Sequence, residues 1–470
     1  MKICMIAEGS YPYVLGGVSS WINNLIKACP EHEFIILSIS PSSEVKGQYK
    51  YDLPENVVEV VDIFLNDIDL KSGRKGKKLK ISQEEREAIY QLLAGDGVDW
   101  QMIFKMFSSK KLKNINEFFM SKDFFEIVRK LYISKYPFTP FTDFLWTMRT
   151  MYLSFFFILL SDMPLADVYH SVATGYSGLI ASYCKYVHKK PFILSEHGIY
   201  TREREEEIIK ANWVKSYYKD LWIQYFYAFS NCAYDYADVV TTLFEKNKHL
   251  QMEVGCPENK LMIVPNGVKL ERFRDLAGKE DNEVINIGAV IRVVPIKDIK
   301  TMIQAFNVVK HQLPNAMFYI MGPIDEDPEY YDECIKLVNF LELKDVIFTG
   351  TVQVTEYYGK MDVMVLTSIS EGQPLSVMEG MAAKKAHVCT NVGDCRGLLF
   401  GASDDHFGQA GYVEGIMSSE AIALSIIKLA KDKSLRESFG AVGLKRIKTY
   451  YQANVFVDAF KGLYLKYGSE

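Results

Sequence analysis

The chain has 470 residues, of which 49% are hydrophobic, 24% charged and 13% aromatic, a globular composition long enough for two or three domains. It excludes a disordered tail, a collagen-like fibre and a disulfide-stapled miniature domain. Lys and Arg number 54 against 59 Asp and Glu, leaving a formal net charge of -5, so no overall basic field draws nucleic acid and none is expected as a partner.

An apolar strand is predicted at residues 2–7 and a loop at 8–16, after which Gly17 opens a helix through Trp21, Leu25 and Ile26. The opening run stops at Glu8 and lacks the length and cleavage site of a secretory signal, so the chain is expected in the cytoplasm. Strands follow at 34–39 and 57–61, and then about a hundred residues, 66–164, carry a mostly helical pattern that reads as an insertion. Within it, the run at 71–80 holds six cations and two glycines and is expected to be a solvated loop. The most apolar stretch, 144–160, is 17 residues long and contains Arg149, so a buried helix is expected there rather than a membrane span.

Alternation resumes with strands at 167–170, 191–195 and 239–242, and a turn at Asn266-Gly267 follows a short strand at 262–265. The acidic run 202–207 reads as the polar face of a helix start. A polar stretch at 276–282 precedes strands at 284–290, 316–321, 346–349, 363–367 and 386–390, with helices at 299–311, 328–341 and 375–383 between them. The predicted organisation is therefore α/β: a doubly wound domain over 1–275 with the insertion, a second over 276–448, and a helix over 449–470 returning to the first domain. Two such domains are expected to face each other across a cleft, with function in the loops that follow strands. Eight scattered cysteines without a C-x-x-C pair read as reduced core thiols.

The loop and helix Ser370-Glu371-Gly372-Gln373-Pro374-Leu375-Ser376 through Glu379 carry the richest chemistry. Pro374 suits the first turn of a helix beginning near Leu375, whose free N–H groups at Leu375 and Ser376 make an anion site. Glu371 before the helix and Glu379 one turn inside it are acceptor-only carboxylates suited to sugar and ribose hydroxyls. Arg292 and Lys297, after the strand at 284–290, can clamp a diphosphate.

Together these residues resemble the GT-B glycosyltransferases of family GT4. The family's paired glutamates stand as Glu371-Gly372 through Glu379, and its R-(x)4-K element as Arg292 through Lys297. Pro265-Asn266-Gly267-Val268 resembles its P-N-G-[VI] turn, Thr349-Gly350 a strand end, Gly16-Gly17 the glycine pair opening the first helix, and Glu196-His197-Gly198 its active-site histidine. The opening residues 7–21, the helical insertion and Ser195-Glu196-His197-Gly198-Ile199-Tyr200 are most similar to the transferases of Pel exopolysaccharide systems. The resemblance implies that Glu379 binds ribose and Glu371 the transferred hexose. Arg292 and Lys297, with the N–H groups of Leu375 and Ser376 and with Gly17, would neutralise the leaving diphosphate, and His197 would lie beside the hexose. Asn266, Gly350 and Gly16 complete the implied donor site.

The implied reaction is a metal-independent, anomer-retaining transfer of a hexose or N-acetylhexosamine from a UDP-sugar to a growing polysaccharide. It needs no cofactor beyond the donor, and inner-membrane synthesis and export proteins would recruit the enzyme through the insertion or the run at 71–80. Asp325-Glu326-Asp327 is the nearest approach to a metal-binding pair. His170 ends a strand and could assist the acceptor, whereas His311 and His387 read as surface or packing residues. Three positions depart from the family pattern: Asp298 replaces a common Gly, Lys269 a common Asp, and Lys384-Lys385 a Gly-x-Pro. An epimerase or phosphorylase on the same scaffold, and a UDP-sugar-binding assembly protein without turnover, are the alternatives.

Overall fold

The structure is a computed structural model, and it describes residues 1–68, 78–112, 114–279, 283–402 and 405–468. Most of the cationic run at 71–80 falls outside the described residues. The chain forms two compact units: Met1–Ile263 together with the chain from Phe460 onward, and Val264–Ala459. Each is a parallel sheet wrapped by helices.

In the first unit, the strands are β1 (Lys2–Glu8), β2 (Glu33–Ser40), β3 (Val57–Phe64), β4 (Val168–Ser171), β5 (Phe192–Glu196), β6 (Val239–Thr242) and β7 (Leu261–Ile263). They lie in the order β3-β2-β1-β4-β5-β6-β7, all parallel. Parallel strands are covered on both faces, which is why Ile3 to Ala7 and Phe34 to Leu37 read as unbroken apolar runs and are buried. Helix α1 (Gly17–Ala28) joins β1 to β2.

The insertion between β3 and β4 comprises α2 (Gln83–Ala94), α3 (Trp100–Ser108), α4 (Ile115–Phe119), α5 (Lys122–Lys135) and α6 (Phe141–Leu160). Ser82 and Glu85 close α2 with a reciprocal capping box, and Gly95 ends it in the left-handed region. Helix α6 starts three residues before the apolar run and is 20 residues long, so by length and composition it could cross a membrane. One face is nevertheless packed inside: Phe144, Met148, Tyr152, Phe155 and Phe156 are buried, with Phe156 stacked on Phe118 at 4.3 Å between ring centroids. The same core takes in Leu179 and Tyr183 of α7 (Tyr176–His188), Tyr200 and Ile208 of α8 (Tyr200–Lys210), and Tyr225 and Phe229 of α9 (Lys219–Tyr236). Helix α10 (Glu245–Val254) leads to β7.

In the second unit, the strands are β8 (Ile285–Val290), β9 (Ala316–Met321), β10 (Val346–Gly350), β11 (Val363–Leu366), β12 (Ala386–Thr390) and β13 (Gly411–Glu414), in the order β10-β9-β8-β11-β12-β13. The helices are α11 (Ile299–Gln312), α12 (Pro328–Phe340), α13 (Thr355–Tyr358), α14 (Leu375–Ala382), α15 (Cys395–Phe400), α16 (Ser419–Lys431) and α17 (Lys433–Tyr450). Val268 and Phe273, ahead of the polar stretch at 276–282, belong to this unit's core. The glycine of the Asn266-Gly267 turn is required by close approach, since a Cβ there would lie 2.6 Å from Ala453 Cα. The chain is pinned at that point by Val268 N–H donating to Tyr451 O at 2.9 Å and Ala453 N–H to Val268 O at 3.1 Å.

Helix α18 (Ala453–Gly468) ends the described chain, and its residues Phe460, Leu463 and Tyr464 are buried in the first unit. All eight cysteines are buried and free.

Candidate functional site

In the second sheet, β8 is flanked by β9 on one side and β11 on the other, so successive strands run outward in opposite directions from β8 and β11. Loops at the carboxyl ends of such a pair diverge and leave room for a ligand. Arg292 and Lys297 lie in the loop after β8, and Glu371 in the loop after β11. Lys297 Nζ donates to Glu371 Oε1 at 2.5 Å, and Ser368 Oγ donates to the same oxygen at 2.5 Å. Both side chains of the ion pair are largely shielded, at 15% and 12% exposure, so the charges meet in a low-dielectric setting where a pair of opposite charges is strong.

The two loops are tied to one another by hydrogen bonds to backbone carbonyls. Thr367 Oγ1 donates to the carbonyls of Lys297 and Asp298 at 3.1 and 3.0 Å, and Ile369 N–H donates to Ile296 O at 2.9 Å. Asp298 adopts φ +48°, the left-handed conformation that explains a glycine preference at this position. Aspartate is tolerated there and uses its side chain to cap α11, accepting from Thr301 N–H at 3.3 Å. Arg292 is half exposed and pairs with Glu326, while Asp327 caps α12 by accepting from Tyr330 N–H at 3.0 Å. Gly350 ends β10 in the left-handed region with open space where a Cβ would stand, and its carbonyl accepts from Gly322 N–H at 3.0 Å.

Helix α14 begins at Leu375 immediately after Pro374. In a helix, the N–H groups of Leu375 and Ser376 have no intrahelical acceptor, and they carry the positive end of the dipole. Gln373, just before, is buried and bridges two segments: its Oε1 accepts from Asn266 N–H at 2.7 Å and its Nε2 donates to Asp394 Oδ2 at 2.7 Å. Asp394 N–H in turn donates to Gly372 O at 2.9 Å, and Gly393 is held at φ +50° against the carbonyl of Gly372. Burial pushes the Asp394 carboxyl up to about 7. Glu379 stands one turn inside α14, and burial raises its pKa while Arg272, with Nη1 3.6 Å from Oε1, opposes the rise.

In the first unit, Gly16 and Gly17 stand at the amino end of α1, each with open space in place of a side chain. The hydroxyl of Tyr51 lies 3.3 Å from Gly16 N as its acceptor. His197 follows β5, with its ring 4.6 Å from that of Trp21. Burial lowers the imidazole to about 4, so it is neutral near pH 7, and its Nε2 is buried without a hydrogen-bond partner among the described residues. Glu196 beside it is structural: it accepts from Tyr234 Oη at 2.7 Å, Gln251 Nε2 at 2.8 Å and Tyr200 N–H at 3.1 Å. Glu8 ends β1 and accepts from Tyr200 Oη at 3.2 Å and Ser177 N–H at 3.3 Å. His170 is fully buried, with Nδ1 2.7 Å from Tyr464 Oη and Nε2 2.7 Å from Ser195 Oγ. An acceptor role for it is thereby corrected, because both ring nitrogens are already engaged within the core.

One family model, described as a domain of unknown function (DUF3492), matches residues 1–259, more than half of the chain. A second, described as glycosyl transferases group 1, matches residues 268–446. The chain belongs to the DUF3492 family. The chain is 26% identical over 219 residues to the capsular polysaccharide biosynthesis glycosyltransferase CapM of Staphylococcus aureus. It is also 26% identical over 234 residues to the N,N'-diacetylbacillosaminyl-diphospho-undecaprenol alpha-1,3-N-acetylgalactosaminyltransferase of Campylobacter jejuni. Those matches cover 44% and 47% of this chain and little more than half of the relatives' own length, 56% and 58%.

Among solved structures, Anabaena Alr3699/HepE in complex with UDP-glucose matches 99% of this chain and 100% of its own, at a TM-score of 0.61 and 12% identity. Sucrose-phosphate synthase from Thermosynechococcus elongatus matches 99% and 98%, at a TM-score of 0.62 and 14% identity. Both likenesses speak to the fold, two Rossmann-like α/β domains of the GT-B type.

Lys297, Glu371, Leu375, Ser376, Glu379, Arg292, Gly350 and Asn266 all lie in the second unit, where Lys297 and Glu371 are in direct contact. Gly16, Gly17 and His197 lie in the first. Arg272, Gln373, Asp394 and Ser368 were not singled out by sequence reasoning. Ser368 and Gln373 flank Glu371 closely enough to have been suspected, whereas the partners of Arg272 and Asp394 come from distant segments.

Proposed function

We propose that this chain is a retaining, metal-independent glycosyltransferase that moves a hexose or N-acetylhexosamine from a UDP-sugar to a growing exopolysaccharide. The observation that carries the proposal is the 2.5 Å contact of Lys297 with Glu371 between the loops of β8 and β11. A sugar–phosphate bond presents a ring of hydroxyl donors joined to an anion, and a carboxylate held against a cation is complementary to that junction. Glu371 accepts from the hexose hydroxyls, and Lys297 with Arg292 and the N–H groups of Leu375 and Ser376 stabilises the charge that grows on the leaving diphosphate. Glu379 accepts from the ribose hydroxyls. His197, neutral and with Nε2 unengaged among the described residues, supplies a bond to a hexose hydroxyl.

Support for the donor class comes from the UDP-glucose complex of Alr3699/HepE, and support for a glycan acceptor from the names of CapM and the N-acetylgalactosaminyltransferase. Within the family the opening residues 7–21 and the segment 195–200 favour a PelF-like enzyme of Pel exopolysaccharide synthesis, recruited from the cytoplasm to membrane-bound synthesis and export proteins.

The test is UDP release from UDP-glucose, UDP-galactose, UDP-N-acetylglucosamine and UDP-N-acetylgalactosamine, with and without EDTA. One donor is expected to support release that persists in EDTA and falls at least about tenfold in Lys297→Ala and in Glu371→Ala, a loss of about 1.4 kcal/mol or more of transition-state stabilisation. Loss of release in EDTA overturns metal independence, and release undiminished in both variants overturns the site.

A further inference from the structure

Arg272 has no place in the roles assigned so far. It lies in the single 3₁₀ turn Leu270–Phe273 that follows the Asn266-Gly267 turn, and its guanidinium Nη1 is 3.6 Å from Glu379 Oε1. Isolated ion pairs between two exposed side chains contribute little, and most carry no functional meaning. This one differs because its carboxylate is only 22% exposed and both partners stand on anchored elements. The neighbour Phe273 is buried, with its ring 5.7 Å from that of Tyr358 in an edge-on contact, and Tyr358 is itself fully buried and donates its hydroxyl to Ser376 O at 3.1 Å. The guanidinium lies 5.6 Å from the Phe273 ring centroid. A packed chain of Phe273, Tyr358 and the first turn of α14 thus fixes where Arg272 starts and where Glu379 stands.

A carboxylate aligned by a cation on one oxygen keeps acceptor capacity for hydroxyl donors, because its two oxygens offer about four lone-pair sites. Loss of that cation would remove one of the two influences, the other being the Tyr358 hydroxyl, that oppose the rise in the carboxyl's pKa caused by burial, a shift away from the charged form that accepts best from a diol. We propose that Arg272 is a positioning residue that holds the Glu379 carboxylate in place for the ribose hydroxyls of the nucleotide. This inference rests on the ribose role given to Glu379 above.

Calorimetric titration of the full chain with UDP and with 2′,3′-dideoxyuridine 5′-diphosphate tests it. The unsubstituted protein is expected to bind UDP at least about tenfold more tightly than the dideoxy nucleotide. Arg272→Gln is expected to shrink that gap to about threefold or less by weakening UDP alone, and Arg272→Lys to restore most of it. A gap retained in Arg272→Gln, or an equal loss for both nucleotides, overturns the role of Arg272 while leaving Glu379 intact. Equal binding of the two nucleotides by the unsubstituted protein overturns the ribose role of Glu379 itself and the inference with it, and Glu379→Gln identifies that case by leaving both affinities unchanged.

Discussion

Asp394 is a carboxyl group kept close to neutral by its surroundings, bonded to Gln373 and 8% exposed. Its folded pKa of about 7 stands above the ordinary value of about 3.9, so the folded state binds this proton more tightly than the unfolded chain does. The contribution to stability is fully present below about pH 4 and is lost as pH rises towards 7. Asp394→Asn keeps an oxygen for Gln373 and does not titrate. Between pH 5 and pH 8, denaturation midpoints of the unsubstituted protein are therefore expected to fall relative to those of Asp394→Asn, by on the order of 2 kcal/mol. Parallel midpoints would count against the assignment. Glu371, Glu379, Arg292 and Lys297 could be picked out from sequence because charges after apolar strands are unusual and their spacing is fixed by one loop and one helix. Asp394, Arg272 and the Asn266 bridge could not, because their partners arrive from elsewhere in the chain, 107 residues away for Asn266 and Gln373.

At the scale of elements, α14 ends on an unusual residue. Lys384 adopts φ +58°, its N–H donates to Met381 O at 3.0 Å, and Lys385 N–H donates to Gly380 O at 2.9 Å, the bonding of a Schellman ending with lysine where glycine is favoured. The side chain is exposed, and Gly440 of α17 packs against the Lys384 carbonyl, so the backbone is held in this conformation from outside. Lys384→Gly relieves the left-handed strain and is expected to stabilise the second unit by about 0.5–1 kcal/mol in chemical denaturation. A lower midpoint would refute that account. Strands were legible wherever two-sided burial leaves a plain apolar run: 239–242, 316–321 and 386–390 coincide with β6, β9 and β12. The edge strand β13 was missed because Gly411 and Glu414 bracket only two apolar residues. The insertion was legible as helical, yet not as five helices, because its boundaries rest on local caps such as Ser82 with Glu85, Asn114 and Ser121.

Across the whole molecule, the insertion is continuous with the first unit, for its aromatic core includes α7, α8 and α9. Removing it would open that core, so the proposed recruitment is better probed at its surface, where Phe138 is fully exposed and Trp146 is 53% exposed. Phe138→Ser combined with Trp146→Ser is expected to reduce co-sedimentation with membranes carrying the synthesis and export proteins by several-fold while UDP release is unchanged. Unaltered co-sedimentation would remove this face from the proposal. Helix α18 has a different consequence, one of timing. Tyr464 satisfies His170 and Phe460 packs 5.2 Å from Trp21, yet the entire second unit, Val264–Ala459, is synthesised between these residues and Ile263. The first unit is thus begun before the second and completed after it. Until α18 emerges, the nascent first unit carries a seam over His170 and Trp21 that only this later segment of the same polypeptide can close.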